Sequence, residues 1–176
     1  MKHLLFLLLL TTPVYAGSVY IDQVGDDNNI LVEQTTNGNG EAILLSKGSN
    51  NTMAIIQQGD GNHTAFMGTP PLGKNYDGTY ITNSSAPNSD GNNLTILQSG
   101  SGNHTAAINL DSTTSNSNDT ATITQSGDAD KSFTLTLSGS SISATVVQDN
   151  PTTADHASMS IQCYTPPCSG YSYTKH

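Results

Sequence analysis

Side-chain amides at a fixed spacing are the chemically capable groups that recur in this sequence. Gln23, Gly25 and Asn28 form a Gln-x-Gly-x-x-Asn motif that returns at Gln57, Gly59 and Asn62 and at Gln98, Gly100 and Asn103. Gln125, Gly127 and Asp130 keep the spacing with Asp for Asn, and Ser46, Gly48 and Asn51 keep it with Ser for Gln. A carboxamide is uncharged and both donates and accepts, so the pattern suits hydrogen bonding between like groups and not proton transfer. His63 and His104 each follow the Asn of a motif, which reads as one repeated turn slot rather than as a catalytic base. If they align, they are placed to respond to mild acid or to bind a metal weakly. No Ser/His/Asp or paired-carboxylate constellation is visible, so no catalytic residue, cofactor or metal site is expected.

Other candidate chemistries fare less well. The Asp-rich turns at Asp26-Asp27, Asp60-Gly61 and Asp90-Gly91 suggest calcium, but the nine-residue glycine-aspartate period of calcium-binding β-rolls is absent. Thr120, Thr122 and Thr124 share one strand face, as in ice-binding solenoids; the rank does not continue through the other repeats, and Thr suits any strand surface.

Strands and tight turns must position the amides. A spacing of 23 residues separates Gln34 from Gln57, Gln125 from Gln148, and Gln23 from Ser46, and a fixed period of this size signals a solenoid or array. Each unit holds two half-repeats of about 11 residues, a strand and a turn each. Val19, Ile21 and Gln23 alternate with Tyr20, Asp22 and Val24; Ile30, Val32 and Gln34, then Ala42, Leu44 and Ser46, then Met53, Ile55 and Gln57 repeat that inward face. Leu94, Ile96 and Gln98 resume it. For the strand after Asn103, strict phase favours Thr105, Ala107 and Asn109 inward, whereas burial favours Ala106, Ile108 and Leu110 at the cost of one extra turn residue. The apolar set is preferred. The pattern predicts an all-β chain, a β-solenoid of stacked strand-turn-strand repeats polymerising into cross-β fibres.

Composition supports a thin core. Of 176 residues only 34% are hydrophobic and none is Trp, too few for a thick globular interior. Stacked repeats lie about 4.8 Å apart, so a buried Gln or Asn meets its own kind one rung away. Without such partners each buried amide would cost about 1–3 kcal/mol.

Lys2 and His3, the apolar run from Leu4 to Leu10, and Val14-Tyr15-Ala16 predict a cleaved secretory signal over 1–16 rather than a membrane span. Four lysines against 14 acids then leave about −10, which argues against nucleic acid and anionic lipid as partners. In an oxidising compartment Cys163 and Cys168 are expected to form a small disulfide loop; the alternative, a metal or redox pair, finds no further His or Cys at matching spacing. Repeats are expected over 17–68 and 92–162, separated by an inserted loop or arm over 69–91 with Pro70, Pro71 and Pro87, and followed by a Cys/Tyr tail over 163–176.

The motif spacing, the Gln placed six residues after Asn28 and Asn51, and units near 23 residues resemble the curlin repeats of curli fibre subunits. The resemblance covers about two-thirds of the chain after the signal. It implies a secreted subunit that folds as a β-solenoid on polymerising into functional amyloid, the matrix fibre of biofilms. It further implies a homopolymer, a nucleator subunit and an outer-membrane secretion channel as partners. The expected ladder residues are Gln23, Asn28, Gln34, Asn51, Gln57, Asn62, Gln98, Asn103, Gln125 and Gln148, and the turn glycines Gly25, Gly48, Gly59, Gly100 and Gly127. The chain differs from curlins in lacking a Gly/Asn-rich segment before the first repeat, in the 69–91 insertion and in its cysteine tail. The alternative is a monomeric secreted β-solenoid adhesin or binding module that uses the 69–91 arm.

Overall fold

A computed structural model describes residues 17–176; the expected signal over 1–16 lies outside the described residues. The chain winds as a β-solenoid of six coils, each giving one strand to each of two parallel sheets. In chain order the coils are β1 (Ser18–Val24) and β2 (Asn29–Thr36), then β3 (Gly40–Lys47) and β4 (Thr52–Gly59). In the third coil β5 (His63–Gly68) is followed by the short strands β6 (Gly73–Lys74) and β7 (Tyr80–Ile81), then β8 (Asn93–Ser99). The last three are β9 (His104–Leu110) with β10 (Thr120–Ser126), β11 (Lys131–Ser138) with β12 (Ile142–Gln148), and β13 (Asp155–Gln162) with β14 (Cys168–Lys175). One sheet runs β1-β3-β5-β9-β11-β13 and the other β2-β4-β8-β10-β12-β14.

Alternation decides which side chains meet between the sheets. Leu44, Met67, Ile108 and Leu135 from the first sheet face Ile55, Ile96, Ile123 and Val146 from the second, all fully buried. Ala106, Ile108 and Leu110 point inward, as the apolar preference required. Their phase is set by a corner in which Asn103 faces outward and His104 opens β9 on its buried face.

The sharp corners need left-handed backbone. Gly25, Gly48, Gly59, Gly100 and Gly127 all have φ between +106° and +130°. At Gly48 a Cβ would also stand 2.2 Å from the Ser89 carbonyl oxygen of the next coil, so both conformation and stacking distance exclude a side chain.

Two expected boundaries need correction. Thr69 N–H donates to Leu45 O, Ser89 N–H to Lys47 O and Gly91 N–H to Ser49 O, so 69 and 89–91 belong to the stacked corner and only 70–88 leave it. This arm folds down on the first sheet. Tyr80 packs edge-on to Tyr20 with ring centroids 4.9 Å apart and donates to Glu41 Oε1 at 3.3 Å, Lys74 Nζ lies 4.4 Å above the Tyr80 ring, and Lys47 donates to the Ser84 and Ala86 carbonyls. The outward side chains of Ile43 and Leu45 are buried there. Tyr76, at the far end of the arm, is fully exposed.

The second correction concerns the C-terminus. Cys168–Lys175 is not a tail but the last strand of the second sheet, paired parallel with β12, with one register shift between Ile142 and Ala144. Its sparse aliphatic content hid it, because an end strand needs only one packed face and Cys168 and Tyr173 supply it. Cys163 and Cys168 form a disulfide that closes the corner leading into β14.

Candidate functional site

The register of the sheets stacks like residues into four polar columns. The first follows the second sheet: Gln34, Gln57, Gln98, Gln125 and Gln148 are register partners from rung to rung. Each Nε2 donates to the next Oε1, at 2.7, 2.9, 2.9 and 2.8 Å in turn. The spare N–H of Gln98 reaches across to Thr64 O at 3.1 Å, and that of Gln125 to Thr105 O at 3.0 Å. One column therefore satisfies itself along the axis and ties the two sheets together across it. This answers how a thin core holds fully buried amides without water.

A second column lines the opposite corner. Asn28 Oδ1 accepts from the Asn51 backbone N–H, Asn51 Oδ1 from that of Asn92, Asn92 Oδ1 from that of Asp119, and Asp119 Oδ1 from that of Ile142, each at 2.9 Å. The amide nitrogens of Asn28, Asn51 and Asn92 donate onward to the Gly48, Ser89 and Asn116 carbonyls. Asp119 has no such hydrogen, and its Oδ2 is buried without a partner. Burial pushes its carboxyl up to about 6, against the smaller opposing pull of the Ile142 N–H.

Asn62 and Asn103 stand in a third column, exposed on the outer rim of the Gln corner. Their Oδ1 atoms accept from the backbone N–H of Asn39 and Asn62, at 2.9 and 3.4 Å, and Asp130 Oδ1 accepts from Asn103 at 2.9 Å. Gln23 joins no column: it lies in the first sheet opposite Ser46, in the end coil, and is exposed. The motif thus occurs at two unlike corners, and its spacing does not record which. Asn92 and Asp119 escape the motif because the insertions before them remove the Gly that marks it; their signal is the apolar strand that begins two residues later, as after Asn28 and Asn51.

The fourth column is in the first sheet and runs Gly40, His63, His104, Lys131, Asp155. The two imidazoles are buried and stack with centroids 5.0 Å apart. Each Nε2 is 3.0 Å from a backbone carbonyl, of Gln58 and of Ser99; a carbonyl only accepts, so Nε2 carries the proton and the partnerless Nδ1 is bare. Burial holds both histidines below the usual value, and for His104 the charge of Lys131 adds to this. Lys131 is itself 1% exposed, its ammonium held by the carbonyls of Asn150 at 2.6 Å and Thr153 at 2.9 Å.

This column makes the fold acid-sensitive. A depressed folded value means that the unfolded chain binds the proton first, so the stabilisation is whole above about pH 6.5 and is lost as pH falls through that value toward the lowered ones. In an Asp119→Asn background, which removes the opposing titration of that raised acid, stability is expected to drop between about pH 6.5 and 5 in urea titrations. A His63→Gln, His104→Gln double variant, which keeps a donor for each carbonyl, is expected to show a flatter profile there. Superimposable profiles would contradict this origin of the acid sensitivity.

Among the described residues no group of three His, Cys, Asp or Glu side chains is disposed to hold a metal, and no helix is long and apolar enough to cross a membrane. An apolar cleft of about 180 Å³ lies between the arm and the first two coils, lined by Val24, Leu45, Thr69 and Thr82 among others. The architecture defines a two-sheet parallel β-solenoid. No family model, no curated protein and no solved structure matches the chain.

Proposed function

We propose that this chain is a secreted structural subunit that self-assembles end to end into extracellular, curli-like amyloid fibres serving matrix and adhesion. The observation that carries this reading is the bare first coil. β1 and β2 each have a single strand neighbour, so one edge of each presents unpaired backbone groups. On the same end the core itself is open to water: Val19 and Ile21 point inward yet are each 48% exposed. Soluble repeat proteins cover such an end with a polar cap; here no described residue does so.

The test is incubation of the purified chain at high concentration, followed by negative-stain microscopy, amyloid-dye fluorescence and fibre diffraction. Filaments with reflections near 4.8 Å and about 10 Å are expected. Val19→Lys with Ile21→Lys, which puts two charges on the open core, is expected to leave dispersed particles. A wild-type chain that stays monomeric would refute the proposal.

A second reading, a monomeric adhesin or binding module, draws on the arm, where Leu72 is 70% exposed and Tyr76 wholly so. Leu72→Ser with Tyr76→Ala separates the two: fibre formation unaffected supports the subunit, whereas lost surface attachment by a chain that forms no fibres supports the module.

A further inference from the structure

The two ends of the Gln column are chemically different. Every Nε2 between Gln34 and Gln125 donates toward the C-terminal end, and the Oε1 of each following glutamine accepts it. The column therefore opens, in the first coil, on Gln34 Oε1, which accepts from no donor among the described residues. At the far end the register of β14 sets Lys175 opposite Gln148. A donor-only ammonium stands where the next amide of the column would be. An ammonium cannot accept from Gln148 Nε2, which donates to Asp155 Oδ2 at 2.7 Å, and Gln148 Oε1 already accepts from Gln125, so the exposed Lys175 side chain has no partner among the described residues.

The apolar rows are matched at the same two ends. Following the register through all six rungs, Val19 and Ile21 share columns with Ala157 and Met159, and Ile30 and Val32 with Tyr171 and Tyr173. Placing β13 and β14 of one copy over β1 and β2 of another thus continues every one of these rows, with incompletely buried apolar groups on both sides.

We propose that in the fibre Lys175 of one copy donates to Gln34 Oε1 of the next, so that the Gln column runs unbroken across the junction and dictates its polarity. This rests on the self-assembly reading. Joining like ends would oppose two amide oxygens or two ammonium groups at close range, and like-charge juxtaposition in an interface costs several kcal/mol. The opposite corner supplies no comparable selection: the Asn column ends at Ile142, and Cys168 occupies the next place under a disulfide loop.

The test is a charge exchange. Lys175→Glu and Gln34→Lys are each expected to slow seeded elongation at least about tenfold, a difference of about 1.4 kcal/mol. The double variant carrying both is expected to elongate within about threefold of wild type, well inside that tenfold margin. An equimolar mixture of the two single variants is also expected to grow, since alternating copies meet through the exchanged charge pair at one junction and through the native pair at the next. Equal thermal midpoints of the soluble monomers control for folding. If wild type forms fibres and the single variants grow as fast, or the double variant and the mixture stay slow, the Lys175–Gln34 contact is refuted while the fibre reading stands. If wild type forms none, both fall.

Discussion

Gln98→Ala is expected to lower the unfolding free energy by about 3–5 kcal/mol. Gln98 is 1% exposed, accepts from Gln57 at 2.9 Å and donates to Gln125 at 2.9 Å and to Thr64 O at 3.1 Å. Truncation strands a donor on one neighbour and acceptors on the other and across the core, in a place no water reaches, and leaves a void between the sheets. The internal comparison is Gln23→Ala. Gln23 opens the same sequence motif, yet its side chain is exposed and makes only a 3.4 Å contact with the nearby Gly25 carbonyl, so the expected loss is about 0.5 kcal/mol or less. Urea denaturation of the two variants measures the difference. Equal losses would show that the column contributes no more than the motif's local turn.

Asp119→Asn is expected to stabilise the chain, and only at neutral pH. The substitution supplies the hydrogen that Asn28, Asn51 and Asn92 use at the equivalent place and removes an acid raised to about 6 by burial. An acid raised on folding contributes most below its unfolded value of 3.8, and that contribution is lost as pH rises through about 6. At about 1.36 kcal/mol per pH unit across that interval, the gain of the variant over wild type is about 2–3 kcal/mol at about pH 7.5 and close to zero at about pH 4. The histidine column titrates alike in both chains and cancels from the difference. A gain independent of pH, or a loss near neutrality, would mean that Oδ2 is satisfied in some other way.

Much of the solenoid was legible because its period is written in residues that cannot be elsewhere. A Gln recurring at the end of otherwise apolar strand faces has few structural uses besides a column, and Gln34, Gln57, Gln98, Gln125 and Gln148 form one. What the motif alone does not carry is the side of the chain on which it falls. Gln-x-Gly-x-x-Asn describes a bend, and both corners bend; at one the Asn points in and two residues follow to the first apolar position, at the other it points out and three follow. Counting to Ile30 and to Ala65 would have distinguished them. The last strand was hidden for a different reason, since Tyr171 and Tyr173 in a Ser/Thr-rich stretch carry too little aliphatic signal to be told from an irregular end. The buried His63, His104 and Lys131 share a slot whose burial depends wholly on tertiary stacking, and no local pattern records that.

The direction of the interstrand hydrogen bonds has a mechanical consequence. In both sheets they point along the solenoid axis, so tension applied end to end loads the rungs in series, and the least well-joined rung sets the breaking force for the whole molecule. Force applied along the strands meets the rungs in parallel and must shear all of them together. A filament of such units would yield by parting cleanly between adjacent layers under axial pull while resisting lateral tearing far more strongly.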